Sequence, residues 1–233
     1  MTQGDPHGSR RPYGRTLTAA EARVFYDRFG AKQDAQAFYE DRALAPLIAH
    51  SDFQHAQSIF EFGCGTGRLA ARLLTSLMPD NCRYLGVDIS TTMVALTRER
   101  LQSWANRAEV VCSEGVTPPQ CCSGAYDRFV STYVLDLMSE AAITAILGDA
   151  HRLLWREGLL CLVSLTRGHG FLTKLVSAAW ETVHRFNPKL VGGCRPIELR
   201  EFLGEDLWRV RHHEVVSAWG LTSEVIVASR IGT

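Results

Sequence analysis

The stretch FEFGCGTGRLAARLL, residues 60–74, constrains the fold more than any other part of the chain. An apolar run ends at a turn with three glycines, and an alanine- and leucine-rich run with helical spacing comes next. A strand that passes through such a turn into a helix opens a parallel α/β sheet, because the chain must cross back over the sheet before the next parallel strand can pair. The turn also gathers backbone N–H groups at a helix start, where nucleotide-like ligands are held.

The chain beyond the turn keeps the same rhythm. Strands are expected at 57–62, 84–88, 109–112, 126–131 and 159–165, and helices at 68–77, 92–104 and 141–155. Before the first strand, Ala19, Val24, Phe25, Phe29, Phe38, Tyr39, Leu44, Leu47 and Ile48 recur at three and four, which predicts two helices between Thr18 and His50. After 165 the alternation stops. An apolar stripe from Phe171 to Phe186 predicts a further helix; Pro188, Gly192, Gly193 and Pro196 mark a loop, and a short helix is expected at 197–203. Two strand-like runs, 210–219 and 224–229, meet at Gly220-Leu221, so they are antiparallel.

The 233 residues suit one domain: a tail at 1–17 expected to be disordered, then 18–233, with 18–56 as an N-terminal helical lid and 167–206 as an insertion over the site. Lysine plus arginine equals aspartate plus glutamate, 25 each, so nothing in the global charge suggests a nucleic-acid or anionic-membrane partner. The start, MTQGDPHGSRRPYGR, lacks a signal-peptide core, and no later run has the length of a membrane span. Seven cysteines with no CxxC pair read as reduced thiols, no metal site is expected, and the location expected is cytoplasmic.

Three features of the turn narrow its ligand. A dinucleotide fingerprint spaces its glycines GxGxxG, whereas here Gly63, Gly65 and Gly67 run GxGxG and Arg68 stands at the last position. Glu61, two residues upstream, is a poor neighbour for a pyrophosphate but a good one for an ammonium. A head group with ammonium and carboxylate on one carbon fits, the turn N–H groups meeting the carboxylate, and S-adenosylmethionine carries that head. Asp88, ending YLGVD, is placed to accept ribose hydroxyls, a role that suits either kind of nucleoside.

EFGCGTGR followed by GVDIS resembles the first two motifs of the class I S-adenosylmethionine-dependent methyltransferases, small-molecule type, over residues 57–166. The resemblance implies an α/β, Rossmann-like seven-stranded mixed sheet of order 3-2-1-4-5-7-6, strand 7 antiparallel, with helices on both faces. It implies that Gly63, Cys64, Gly65, Thr66 and Gly67 wrap the methionine moiety with Glu61 near its ammonium. Asp88 would hold the ribose, Ile89 and Met93 pack on adenine, and Glu114 and Gly115 lie at the adenine amino group. Ser131 and Thr132 would end the fourth strand beside the methyl. The usual Pro-Gly-Gly turn is replaced by Glu157-Gly158-Leu159.

For the acceptor, Tyr133, Asp136 and His169 are the acid–base candidates; Tyr26, Tyr39, Thr132, Phe171 and Arg195 are expected in the substrate pocket. The function expected is methyl transfer by in-line displacement to a metabolite, quinone or lipid-like acceptor. The alternatives are a protein or RNA methyltransferase, a non-catalytic S-adenosylmethionine-binding partner module, and a nicotinamide oxidoreductase, which Arg68 and Glu61 disfavour.

Overall fold

The computed structural model describes residues 16–115, 122–167 and 194–232. Two helices come first, α1 (Ala19–Phe29) and α2 (Ala37–His50), joined by a 3₁₀ turn at Gly30–Gln36. Thr18 caps α1 in a reciprocal box with Glu21, which satisfies two of the N–H groups a helix start leaves open.

The alternating segment comes next as β1 (Ser58–Phe62), α3 (Arg68–Ser76), β2 (Arg83–Asp88), α4 (Thr91–Arg100), β3 (Ala108–Cys112), β4 (Tyr126–Thr132), α5 (Glu140–Leu153) and β5 (Leu154–Leu165). The chain closes with β6 (Trp208–Ala218) and β7 (Leu221–Arg230). The seven strands lie in the order β3-β2-β1-β4-β5-β7-β6, as expected, with β7 antiparallel to both neighbours. Trp219 and Gly220 both have positive φ between β6 and β7, the backbone a two-residue hairpin turn requires.

Because strand side chains alternate, each buried strand feeds two cores. Ile59, Val130, Cys161, Val163, Val225 and Val227 face the side covered by Leu44 and Leu47 of α2 and Leu69 and Leu73 of α3. Phe60, Phe62, Phe129, Leu160, Leu162 and Ile226 face the side covered by Ile143, Ile146 and Leu147 of α5. β1, β7 and the part of β5 from Gly158 on are largely buried on both faces, although β7 carries Thr222, Ser223 and Glu224 there.

Several boundaries differ from the sequence expectation: α4 stops at Arg100 instead of 104, and β7 begins at Leu221 instead of 224. α5 stops at Leu153, and the Trp155–Gly158 segment lies within an irregular first part of β5, where the register with β4 jumps from Tyr126↔Leu154 to Arg128↔Leu159. The short helix near 197 is a single 3₁₀ turn, Leu199–Phe202. Thr16 and Leu17, placed in the tail by sequence, line the main cavity. The stripe 171–186 lies outside the described residues.

Candidate active site

The glycine turn leaves β1 at Phe62 and enters α3 at Arg68. Gly63 and Gly65 have φ of 78° and 54°, a region side chains rarely occupy. Space is also short. A Cβ on Gly63 would lie 2.2 Å from a Val134 methyl, and one on Gly65 would lie 3.0 Å from Gln33 Oε1. The turn's N–H groups are more engaged than expected: those of Gly63 and Cys64 donate to Val87 O, that of Gly67 to Cys64 O, and that of Gly65 to Asp88 Oδ2 at 2.9 Å.

Two buried acids flank the turn. Glu61 Oε2 accepts from the Tyr84 hydroxyl at 2.6 Å, and burial pushes its carboxyl up to about 8 against that bond's opposing effect. The alternation of β1 points Glu61 to the same face as Ile59, beneath α2 and α3. Asp88 Oδ1 accepts from Ser90 N at 2.9 Å, and burial raises its pKa although backbone donors favour the charged form. With one backbone donor on each oxygen, the carboxylate keeps lone pairs for further hydroxyl donors.

The two N-terminal helices close over this turn through polar ties. Arg23 donates to Ile89 O and Ser113 O, and Asp27 accepts from Ser90 Oγ at 2.6 Å and Thr92 N at 3.2 Å, so α1 is bound to the ends of β2 and β3 and the start of α4. Asp34 pairs with Arg100 at 2.6 Å and accepts from Thr66 Oγ1 at 2.5 Å. Arg68, the residue that replaces the dinucleotide glycine, pairs with Glu40 at 2.6 Å and with Asp41, pinning α2 to α3. Gln33, absent from the sequence expectations, reaches the turn with a buried side-chain oxygen that has no partner among the described residues. No sequence signal marks it, since a lone glutamine in a polar turn is commonplace.

A cavity of about 410 Å³ joins the turn to the space under α1. Gly63, Gly65, Asp88, Ile89, Ser113 and Gly115 line one part; Leu17, Ala22, Tyr26, Thr132, Tyr133, Leu137 and Met138 line the other. Glu61, Cys64, Thr66 and Arg68 line a smaller adjoining space with Gln33 and Tyr133. Several expected residues stand elsewhere. Glu114 is exposed, its side chain turned out while Ser113 and Gly115 face the cavity. Met93 is buried within the α4 packing. Ser131 donates to Phe62 O at 3.0 Å across the sheet because strand alternation points it away from Thr132.

At the acceptor end Tyr133 holds φ of 57°, an outlier for a bulky side chain, and its hydroxyl bonds Ser223 Oγ at 2.8 Å. Tyr39 packs edge-on against it, 5.6 Å between centroids, and is buried behind the cavity wall. Asp136 is fully buried: Oδ2 accepts from Leu165 N at 3.3 Å, Oδ1 has no partner among the described residues, and burial pushes its pKa up to about 7 despite Arg195 nearby. Cys194 shares a hydrogen bond with Tyr26, and burial raises both groups well above their ordinary values. Arg195 is buried and donates to Met138 O, so it braces the segment after β4. His169 and Phe171 lie outside the described residues. No cluster of metal-ligating side chains occurs among the described residues.

A methyltransferase-domain family model matches residues 59–158. The chain is 28% identical over 127 residues to the non-reducing polyketide synthase trt4 of Aspergillus terreus, a stretch covering 53% of this chain and 5% of that one. It thus spans a small part of the curated relatives it matches. Among solved structures, the [4+2]-cyclase SpnF superposes with a TM-score of 0.69 at 15% identity, covering 94% of this chain and 99% of that one. A geranyl diphosphate C-methyltransferase from Streptomyces coelicolor A3(2), solved with S-adenosyl-L-homocysteine, superposes with a TM-score of 0.64 at 11% identity, covering 92% and 97%. With the glycine turn, the acid ending β2 and the strand order, the family match identifies residues 59–158 as part of a class I, S-adenosylmethionine-dependent methyltransferase domain, and the solved structures share its fold.

Proposed function

We propose that the acceptor is a small, largely apolar organic molecule, held between the strand ends and α1. The observation that carries this reading is the concave, partly open cavity, whose one part is polar and glycine-lined and whose other part is walled by Leu17, Ala22, Leu137 and Met138. A folded protein segment or an RNA would need an open, extended surface, and the formal net charge of zero offers an RNA no general attraction. Relatives and structural neighbours named for polyketides and geranyl diphosphate support the same substrate class.

The residues fit the cofactor. Gln33 Oε1, a buried acceptor with no partner among the described residues, and Glu61 suit its ammonium; Asp88 suits the ribose hydroxyls; Ile89, Ser113 and Gly115 suit the adenine. When bound, S-adenosylmethionine supplies an activated methyl group. The protein's task is then to orient the acceptor and exclude water, which is worth about 7–11 kcal/mol in well-oriented systems. Tyr26 and Thr132 would position the acceptor and Tyr133 would hold its place by the Ser223 bond, while Asp136, fully buried and outside the cavity lining, would act indirectly, through the field its carboxylate places on Tyr26 above about pH 7.

Calorimetric titration with S-adenosylhomocysteine, with NADH as control, tests the cofactor side. Tight binding of the first alone is expected, weakened about tenfold to a hundredfold in Asp88→Asn, since one charge-assisted hydrogen bond contributes about 1.5–3 kcal/mol. Mass spectrometry of a panel of phenols, isoprenoids and β-keto thioesters incubated with the methyl donor then tests the acceptor. Methylation of peptides or RNA in preference to this panel would overturn the small-molecule reading.

A further inference from the structure

At the end of the sheet opposite the candidate active site, where β4 and β5 begin, five arginines converge on a second concavity of about 610 Å³. They come from four strands: Arg128 from β4, Arg156 from β5, Arg209 and Arg211 from β6, and Arg230 from β7. Two carboxylates, Asp52 and Glu157, share the lining. Asp52 lies 3.6 Å from Arg128 and 2.6 Å from His55, and each of the three Arg128 nitrogens donates to a backbone carbonyl, that of Ser51, Asp52 or Asp127. Among the described residues that leaves Glu157 as the one lining carboxylate for Arg156, Arg209, Arg211 and Arg230. In a chain whose formal net charge is zero, this is a marked local excess of positive charge.

The strands are irregular where they bring these side chains together. Arg211 is the extra residue of a register shift between Val210 and His212 on β6, and Arg156 stands in the irregular stretch between Leu154 and Leu159. Bulges of this kind re-aim side chains that regular pairing would point elsewhere. Two of the guanidiniums are fixed: Arg211 Nε donates to Ser229 Oγ at 2.9 Å, and Arg230 Nη1 to Leu154 O at 2.5 Å, while Arg230 Nε is buried with no partner among the described residues. Arg156 and Arg209 are exposed and open to a ligand, Arg156 lying against Gly232.

We infer that this concavity is an anion site for a phosphate or phosphate-chain group, separate from the methyl-transfer site. A single carboxylate would leave most of the charge uncompensated, whereas a phosphate chain presents oxygens to several guanidinium forks at once. The phosphate belongs either to a soluble phosphorylated metabolite or to a lipid headgroup.

The full chain would be titrated calorimetrically with inorganic pyrophosphate, in parallel with sedimentation on phosphatidic acid and phosphatidylcholine vesicles, using wild type, Arg156→Ala, Arg209→Ala and Asp88→Asn. Pyrophosphate binding that falls about tenfold or more in either arginine variant and persists in Asp88→Asn is the expected result and places the ligand in solution. Binding to phosphatidic acid vesicles alone, with the same variant dependence, supports the site with a headgroup as its ligand. Absence of both, or binding that the arginine variants leave unchanged or that Asp88→Asn abolishes, would overturn it. Near-native circular dichroism of the exposed variants would separate lost binding from lost fold.

Discussion

Gly63 carries two constraints at once, a positive φ and a Val134 methyl 2.2 Å from where a Cβ would stand. Gly63→Ala therefore adds backbone strain of about 1–3 kcal/mol and an overpacking cost of similar size, so a fall in Tm of roughly 10 °C is expected by scanning calorimetry. An unchanged Tm would show that the turn relaxes freely. Asp136 makes a different kind of prediction. Its carboxyl, raised to about 7 by burial, is charged above that pH and then acts on Tyr26 in the cavity wall, so the rate with a proton-losing acceptor should rise through about pH 7. Asp136→Asn should flatten that rise and lower kcat with little change in KM, whereas a profile identical to wild type would assign Asp136 a packing role only. Glycines and acids at such spacing were legible in the sequence because their neighbours are local. Gln33 was not, since it reaches Gly65 only after two helices have folded back over the turn.

Arg68 shows how an element reuses a position. In a dinucleotide fold a glycine there lets helix and strand pack closely; here the guanidinium ties α3 to α2 through Glu40, which is largely buried, and Asp41. Arg68→Gly would restore the fingerprint yet leave the Glu40 carboxyl buried without its cation. Burial already raises the Glu40 pKa against the pull of Arg68, and the substitution should raise it further. The measurement is urea unfolding at pH 7: a lowered midpoint is expected, partly recovered by Glu40→Gln in the same chain, because removing both partners avoids an unpaired buried charge. No recovery would place the loss in the helix start instead. Helices and strands from 58 to 165 were readable because apolar periodicity reports which face is buried. The β5 irregularity and the β6 bulge were not, because register is decided by the partner strand.

For the whole molecule, buried acids set the response to pH. Glu61 is raised to about 8 and Asp136 to about 7, each chiefly by burial, and Asp88, Asp127 and Glu40 are raised in the same direction. A raised carboxyl keeps its proton in the folded state after the unfolded chain, with ordinary values of about 4, has lost it. The folded state thus binds more protons, and stability falls as pH rises from about 4 to about 8. Denaturant midpoints between pH 5 and 8 should decline without ligand, and, on the proposed placement of the ligand's ammonium beside Glu61, S-adenosylhomocysteine should reduce that decline. A flat profile would show that both acids are ionised in the folded protein. Asp27 and Asp34, lowered by their hydrogen bonds, act in the opposite sense only below this window. From sequence alone came the alternation of strands and helices, the closing hairpin, the glycine turn and the acid that closes β2, since periodicity, spacing and turn chemistry are properties of neighbouring residues. Tertiary structure alone decided that Thr16 and Leu17 wall the cavity, that Glu114 turns away from it while Ser113 faces in, and that arginines far apart in the chain meet at the sheet's far end. Those outcomes depend on which strands lie side by side and how their registers slip, which no local stretch of sequence encodes.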